Sequence, residues 1–284
     1  MRPLLITGNG TGVPDPFGPG FSTDVARILT DPWNDVWAQF WGGAGNIIDW
    51  QPIGYPAAMF PMRPSIDAGR AEVCRQIGLR PRGTPLFLSG YSQFAIVVGE
   101  VWTQDILATT GRFHNRIDDV RGIIQFGDPL RCPGIANGNL VAGLPLPRRL
   151  NGQVTGGIAG KNCLTPDQTP DFVLSCALDG DLYAAAPVGV DPWSQPADVG
   201  LLETMIYNLV LELGINSVVE IARVVADFYK RPVEMVIATV QAIINGLTFA
   251  AQGPTAPHWR YEPFVQPMAD WVLNRAAAVY ALAA

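Results

Sequence analysis

Two histidines serve all 284 residues, so any imidazole chemistry must run through His114 or His258. Cysteine is also sparse: Cys74, Cys132, Cys163 and Cys176 form no C-x-x-C pair. With so few imidazoles and no paired thiols, no zinc site is expected, and no motif calls for a cofactor. We expect four free buried thiols, although a Cys163–Cys176 bridge would close a short loop and stays open as an alternative. Charged residues make up only 15%, the net charge is -6 and there is no basic stripe, which argues against a nucleic-acid partner. No apolar run is long enough to cross a membrane. The strongest, Val236 to Ala251, is interrupted by Gln241, Asn245 and Gly246. Met1-Arg2-Pro3-Leu4-Leu5-Ile6-Thr7-Gly8 is no signal peptide, because its apolar run is only about four residues before glycine and asparagine follow. The expected product is made in the cytosol and needs another agent to release it if it works outside the cell.

What is abundant points to a globular, loop-rich chain: 48% hydrophobic residues, 30 glycines and 25 prolines. The length suits one large domain, or a core with an insert. Strand-like runs are predicted at Pro3 to Thr7, Ile47 to Trp50, Leu86 to Ser89, Arg121 to Phe126 and Phe172 to Ala177, and helical patterns at Ser65 to Ile77 and Ala95 to Ile106. This alternation predicts an α/β fold with a mainly parallel sheet covered on both faces. Trp33, Trp37 and Trp41 lie on one helical face, expected to pack on the core. Cys132 to Thr169 is rich in Gly, Pro and Asn and reads as a long surface excursion.

From Ala197 to Gln252 the pattern is purely helical. Leu202, Met205, Ile206, Leu209 and Leu213 form one apolar face that Gly214 ends. Ser217 with Glu220 makes a capping box for a second helix, and Val233, Val236, Ile237, Val240 and Ile244 continue a third after Pro232. We expect a core of residues 1–196 and 253–284, with residues 197–252 a helical insert.

The strongest chemical signal is Leu86-Phe87-Leu88-Ser89-Gly90-Tyr91-Ser92-Gln93-Phe94-Ala95-Ile96-Val97-Val98. An apolar strand runs through Gly-Tyr-Ser-Gln into an apolar helix, the context of a nucleophile elbow in an α/β-hydrolase. Such a turn lifts Ser92 above the sheet and aims the Gln93 N–H at a developing oxyanion. The usual last glycine of the elbow is Phe94. The base of such a site follows the nucleophile and the acid in the chain, which favours His258 over His114, a histidine in a polar stretch that reads as a solvated helix end. The acid should follow a late strand, leaving Asp179 or Asp181 in Leu178-Asp179-Gly180-Asp181-Leu182-Tyr183. Asp128 reads as a turn cap before Pro129, and Asp171 precedes its strand, on the wrong side of the sheet. Gly8-Asn9-Gly10-Thr11-Gly12 lies where the second oxyanion donor normally arises; it is a plain glycine-rich turn or that donor.

Taken together, these segments resemble the lysin B family of mycobacteriophages, cutinase-like esterases. The resemblance is carried by Asn9-Gly10-Thr11-Gly12-Val13-Pro14-Asp15-Pro16, by Trp50-Gln51-Pro52-Ile53-Gly54-Tyr55-Pro56-Ala57-Ala58 and by Gly90-Tyr91-Ser92-Gln93 with Ala95-Ile96-Val97-Val98-Gly99. It continues in Gly127-Asp128-Pro129-Leu130-Arg131, Asp179-Gly180-Asp181-Leu182-Tyr183-Ala184 and Pro257-His258. It implies cleavage of the ester joining mycolic acids to arabinogalactan, or of lipid esters generally, at the mycobacterial envelope during phage-induced lysis. It also implies Ser92 as nucleophile, Asp181 as acid, His258 as base, and the N–H groups of Gln93 and Thr11 as oxyanion donors. The chain departs from the family at Asn9, where histidine is frequent, and at Phe94, where glycine is usual; with Phe94 read as a sign of decay, the alternative is a non-catalytic envelope-binding protein on a decayed hydrolase fold. A monomer needing no metal or cofactor is expected.

Overall fold

The computed structural model describes residues 1–31, 48–59, 62–148, 152–193, 201–212, 218–233 and 256–283, with Val236, Ile237, Thr239, Val240 and Ile243 between the last two stretches. Strands β1 (Leu4–Gly8), β2 (Asp49–Pro52), β3 (Leu86–Tyr91), β4 (Val120–Phe126) and β6 (Val173–Cys176) form a five-stranded sheet in the order β2-β1-β3-β4-β6. Every pairing is parallel. Residues 155–156 (β5) and 186–187 (β7) make a small antiparallel ribbon beside it.

Strands β1, β3, β4 and β6 are almost wholly buried and largely apolar because both faces of the sheet are covered there, whereas the edge strand β2, Asp-Trp-Gln-Pro, is half-buried. Alternate residues serve opposite cores. Leu4, Ile6, Leu86, Leu88, Ile123 and Val173 pack on one side, with α2 (Met62–Gly78) and α3 (Gln93–Glu100). Leu5, Phe87, Ile124 and Leu174 face the other, with α1 (Phe21–Thr30) and the long C-terminal helix α7 (Glu262–Ala283). Among the described residues the remaining α-helices are α4 (Asn137–Val141), α5 (Leu201–Glu212) and α6 (Val218–Tyr229).

The helix predicted over Ala95 to Ile106 divides in two: α3 ends at Glu100 and Val101–Leu107 continues as π-helix. There Arg70 of α2 donates to Asp105 at 2.7 Å, and Arg63 grips Glu100 with two hydrogen bonds of 2.6 and 2.8 Å. The Cys132–Thr169 stretch is not the surface excursion expected. Cys132, Ala136, Asn139, Thr155, Ile158, Ala159, Cys163 and Leu164 are buried within it. Its anchor is the buried guanidinium of Arg131, which donates to the carbonyls of Ile135 and Ala184 and to Thr155 Oγ1. Glycine and proline here allow tight turning under a packed layer, a role their composition alone does not separate from solvent-facing loop. All four cysteines are free and buried, so the Cys163–Cys176 alternative falls.

The predicted tryptophan face of residues 33–41, and Leu213, Gly214, Ser217 and Ile244 of the helical segment, lie outside the described residues. No helix among the described residues is long and apolar enough to cross a membrane.

Parallel register brings the strand ends to one edge. Gly8 stands beside Gly90, and Tyr91 and Cys176 flank Phe126. The chain steps outward from β1 to β2 and then crosses back to β3, so the strand order reverses between β1 and β3. In an open parallel sheet the crevice beyond that reversal is where ligands bind.

Candidate active site

Ser92 sits at this crevice between β3 and α3, with φ 56 and ψ −117. Among the described non-glycine residues only Ala57 and Lys230 share a positive φ. Such a backbone is costly and persists only where its surroundings hold it. Here the Ser92 N–H donates to the Phe126 carbonyl at 2.9 Å and the Ser92 carbonyl accepts from Ala95 N at 2.9 Å. The side chain is left at the sheet edge, 7% exposed.

His258 arrives on a single 3-10 turn, Pro257–Trp259, just before α7. Its Nε2 lies 2.9 Å from Ser92 Oγ, and its Nδ1 lies 2.9 and 3.0 Å from the two oxygens of Asp181. The ring is fixed from several directions. Tyr91 stacks on it with centroids 5.2 Å apart, and the Tyr91 hydroxyl donates to the His258 carbonyl at 2.9 Å. Gly127 forms the wall beside it, with φ +57. A Cβ there would stand 2.6 Å from His258 Cε1, so both the turn and the close approach demand glycine.

Asp181 lies just past β6, fully buried. Burial alone pushes its carboxyl up, but the charge and hydrogen bond of His258, the hydroxyl of Tyr261 and the N–H of Tyr183 outweigh it and hold the group below the usual carboxylate range. An ionised Asp181 facing Nδ1 fixes the tautomer that leaves Nε2 free to accept a proton from Ser92.

The first backbone N–H of α3, on Gln93, has no acceptor among the described residues, and neither has that of Thr11. Both residues line the cleft at Ser92, as do Met59, Met62, Ile96, Pro129, Tyr183 and Tyr207. The cleft is narrow, about 10 Å³, the room of one water-sized group. The Thr11 loop is braced by the segment after β2. Tyr55 OH donates to the Asn9 carbonyl at 2.7 Å, and Gly12 N to the Ala57 carbonyl at 2.8 Å. The Gln93 side chain donates to the Ala58 carbonyl at 2.8 Å and accepts from Ser65 Oγ at 3.0 Å. Asn9 is itself structural, donating to the Gly18 carbonyl and accepting from Thr23 Oγ1, both at 3.0 Å.

Ser92, Gln93, Thr11, His258 and Asp181 thus converge. Of the two candidate acids, Asp179 turns away to accept from Arg148 N at 2.7 Å. His114 stands elsewhere, 3.2 Å from the Ile106 carbonyl. Asp128 caps its turn, accepting from Leu130 N at 2.8 Å. Sequence reasoning missed Tyr261, Tyr91, Tyr55 and Ser65. Their residue types carry no site signal, although Tyr91 adjoins Ser92 and Tyr261 follows His258 by three positions.

A parallel sheet gathering a serine on a strained turn, an imidazole and a buried carboxylate at its carboxyl edge has the architecture of an α/β-hydrolase. No family model matches the chain. It is 36% identical over 269 residues to Endolysin B of Mycobacterium phage L5, covering 90% of this chain and 94% of that protein. It is 35% identical over 268 residues to Endolysin B of Mycobacterium phage D29, covering 91% and 93%. The crystal structure of lysin B from Mycobacteriophage D29 superposes with a TM-score of 0.72 at 33% identity, over 96% of this chain and 100% of that one. The chain belongs to the lysin B family of mycobacteriophage endolysins.

Proposed function

We propose that the protein is a serine esterase that hydrolyses the ester between mycolic acids and arabinogalactan in the mycobacterial envelope, acting after release from the host cytoplasm during phage-induced lysis. The observation that carries this reading is the relay of 2.9 Å contacts from Ser92 Oγ through His258 to Asp181 on a strained elbow. Membership of the lysin B family supports the envelope as the place of action.

In this reading Ser92 Oγ attacks the ester carbonyl as His258 Nε2 takes its proton, and Asp181 stabilises the imidazolium that forms. The N–H groups of Gln93 and Thr11 receive the oxyanion. The protonated His258 passes its proton to the departing sugar oxygen, leaving an acyl-Ser92 ester. Water, deprotonated by the same imidazole, then releases the free acid and restores the serine. Residues 197–252, with α5 and α6, act as a helical insert between the two core segments, and the chain works as a monomer without metal or cofactor.

The test is direct. Purified protein is expected to release free mycolic acid from mycolyl-arabinogalactan and to cleave nitrophenyl esters, and Ser92→Ala to lose about 10⁴-fold or more of that activity while remaining folded. Equal activity of the two proteins removes the serine mechanism. Cleavage of nitrophenyl esters without release of mycolic acid removes the substrate and leaves a general lipolytic esterase.

A further inference from the structure

In the reading above, the polar groups at Ser92 are assigned: the Thr11 and Gln93 N–H groups to the carbonyl oxygen, and His258 to the leaving oxygen. Tyr207 has no such assignment. It comes from α5, is 4% exposed and lines the same cleft as Ser92 and Gln93. Its ring packs edge-on against Tyr183, centroids 6.3 Å apart, and Tyr183 lies 4.8 Å from the His258 ring. Its hydroxyl is buried and has no hydrogen-bond partner among the described residues. Phenylalanine would fill the same volume without leaving a desolvated hydroxyl unpaired, so the oxygen is costly for folding. A buried, unpaired polar atom at the rim of a reaction cleft is accounted for when a ligand supplies its partner.

The chemistry of that partner is narrowed by the cleft. The other residues lining it are apolar at Met59, Met62, Ile96 and Pro129, which suits a hydrocarbon chain. Burial raises the Tyr207 phenol well above its ordinary range, so it is neutral and both donates and accepts, as a neutral hydroxyl partner requires. Tyr207 and Ser92 line this one small cleft, so the partner is sought on the part of the substrate next to the ester carbonyl.

We propose that the Tyr207 hydroxyl hydrogen-bonds a hydroxyl on the third carbon of the acyl chain, so that the site selects 3-hydroxyacyl esters over unsubstituted ones. This rests on the esterase reading and refines its substrate class; mycolic acids are 3-hydroxy acids. An unsubstituted chain leaves the phenol unpaired in the complex, the situation in which a site built to hydrogen-bond its substrate discriminates strongly.

The experiment compares 4-nitrophenyl 3-hydroxydecanoate with 4-nitrophenyl decanoate, each rate corrected for hydroxide cleavage, in wild type and Tyr207→Phe. The expected result is a wild-type kcat/KM about tenfold or more in favour of the hydroxy ester. Tyr207→Phe should bring the ratio near one, by slowing the hydroxy ester much more than the decanoate. An unchanged ratio, with both esters cleaved, overturns the proposal and leaves the esterase intact. Turnover of neither ester by wild type overturns both. Fluorophosphonate labelling of Ser92 monitors the site in each protein. A Tyr207→Phe variant that labels slowly and loses both esters equally makes Tyr207 a packing residue, and that too overturns the proposal.

Discussion

The phenyl ring of Phe94 occupies the space that a side chain at Gly8 would need. A Cβ built on Gly8 would stand 2.4 Å from the ring. The elbow glycine usual in this family is thus replaced by a large residue on α3, and room for it is found on β1. Phe94 is fully buried and packs edge-on against Tyr55, centroids 5.2 Å apart. Gly8→Ala should therefore overpack the core and cost about 1–3 kcal/mol. Phe94→Ala should leave a cavity costing about 3–5 kcal/mol and bring no gain in esterase rate. The two changes should be non-additive, with Gly8→Ala milder when Phe94→Ala is already present, because they compete for one volume. Urea denaturation of wild type, both single variants and the double variant checks this, and strictly additive losses would refute the shared space.

Tyr261 helps hold the Asp181 carboxyl ionised. Its hydroxyl donates to the Asp181 oxygen that also faces His258. Removing that donor leaves a more basic carboxylate, which stabilises the imidazolium. Tyr261→Phe should therefore move the acidic limb of the kcat/KM profile to higher pH, an effect lost packing does not produce. The stability effect has the opposite sense at low pH. Asp181 is depressed in the folded state, so its ionisation contributes stability above the ordinary carboxylate range that is lost as pH falls through its folded pKa. With one donor fewer the depression shrinks, and so does the difference in stability between pH 7 and pH 3. Parallel pH–rate and pH–denaturation curves measure both.

Much of this arrangement was legible in the residues. The apolar runs at Leu4, Leu86, Val120 and Val173 found the sheet because strands buried on both faces need no alternation. Ser92 and His258 followed from the elbow and from the shortage of imidazole. The choice of Asp181 over Asp179 came only from the family resemblance, because both sit in one turn and the path of the chain decides which carboxylate faces inward. The packed Cys132–Thr169 stretch was hidden for a similar reason: its organising contacts run from one guanidinium to distant carbonyls and a threonine hydroxyl, without periodicity. The Trp50–Ala58 segment stood out as a family match, but its physical role as a brace for the Thr11 loop emerges only from the hydrogen bonds of Tyr55, Ala57 and Ala58.

That brace has a measurable consequence. The Gln93 side chain joins α3 to Ala58 and Ser65, while its backbone N–H faces the cleft. Gln93→Ala keeps the N–H but frees the loop that carries Thr11. Complete loss of one oxyanion donor costs about 10²–10³ in kcat. A loosened donor should cost less, about tenfold, and should appear in kcat with KM little changed, because the stabilised charge exists only in the transition state. Steady-state kinetics on a soluble nitrophenyl ester give the split. A change confined to KM would mean that the side chain contacts substrate.

Asp128 makes the protein's stability depend on pH in the opposite direction from Asp181. Its carboxyl is fully buried, and one oxygen has no partner among the described residues. Burial pushes its pKa up to about 7 from 3.8, against the pull of the Leu130 N–H and the nearby Arg131. Between those values the folded protein binds a proton that the unfolded chain has released, so this group lowers stability as pH rises from about 4 through 7. Asp128→Asn retains an oxygen for the Leu130 N–H and removes the charge. The variant should match wild type at about pH 4 and gain stability at about pH 8, by at most about 4 kcal/mol at roughly 1.36 kcal/mol per pKa unit. Denaturant midpoints at the two pH values decide it. A variant less stable at the higher pH would mean that the ionised carboxylate is held by Arg131 strongly enough to outweigh its burial.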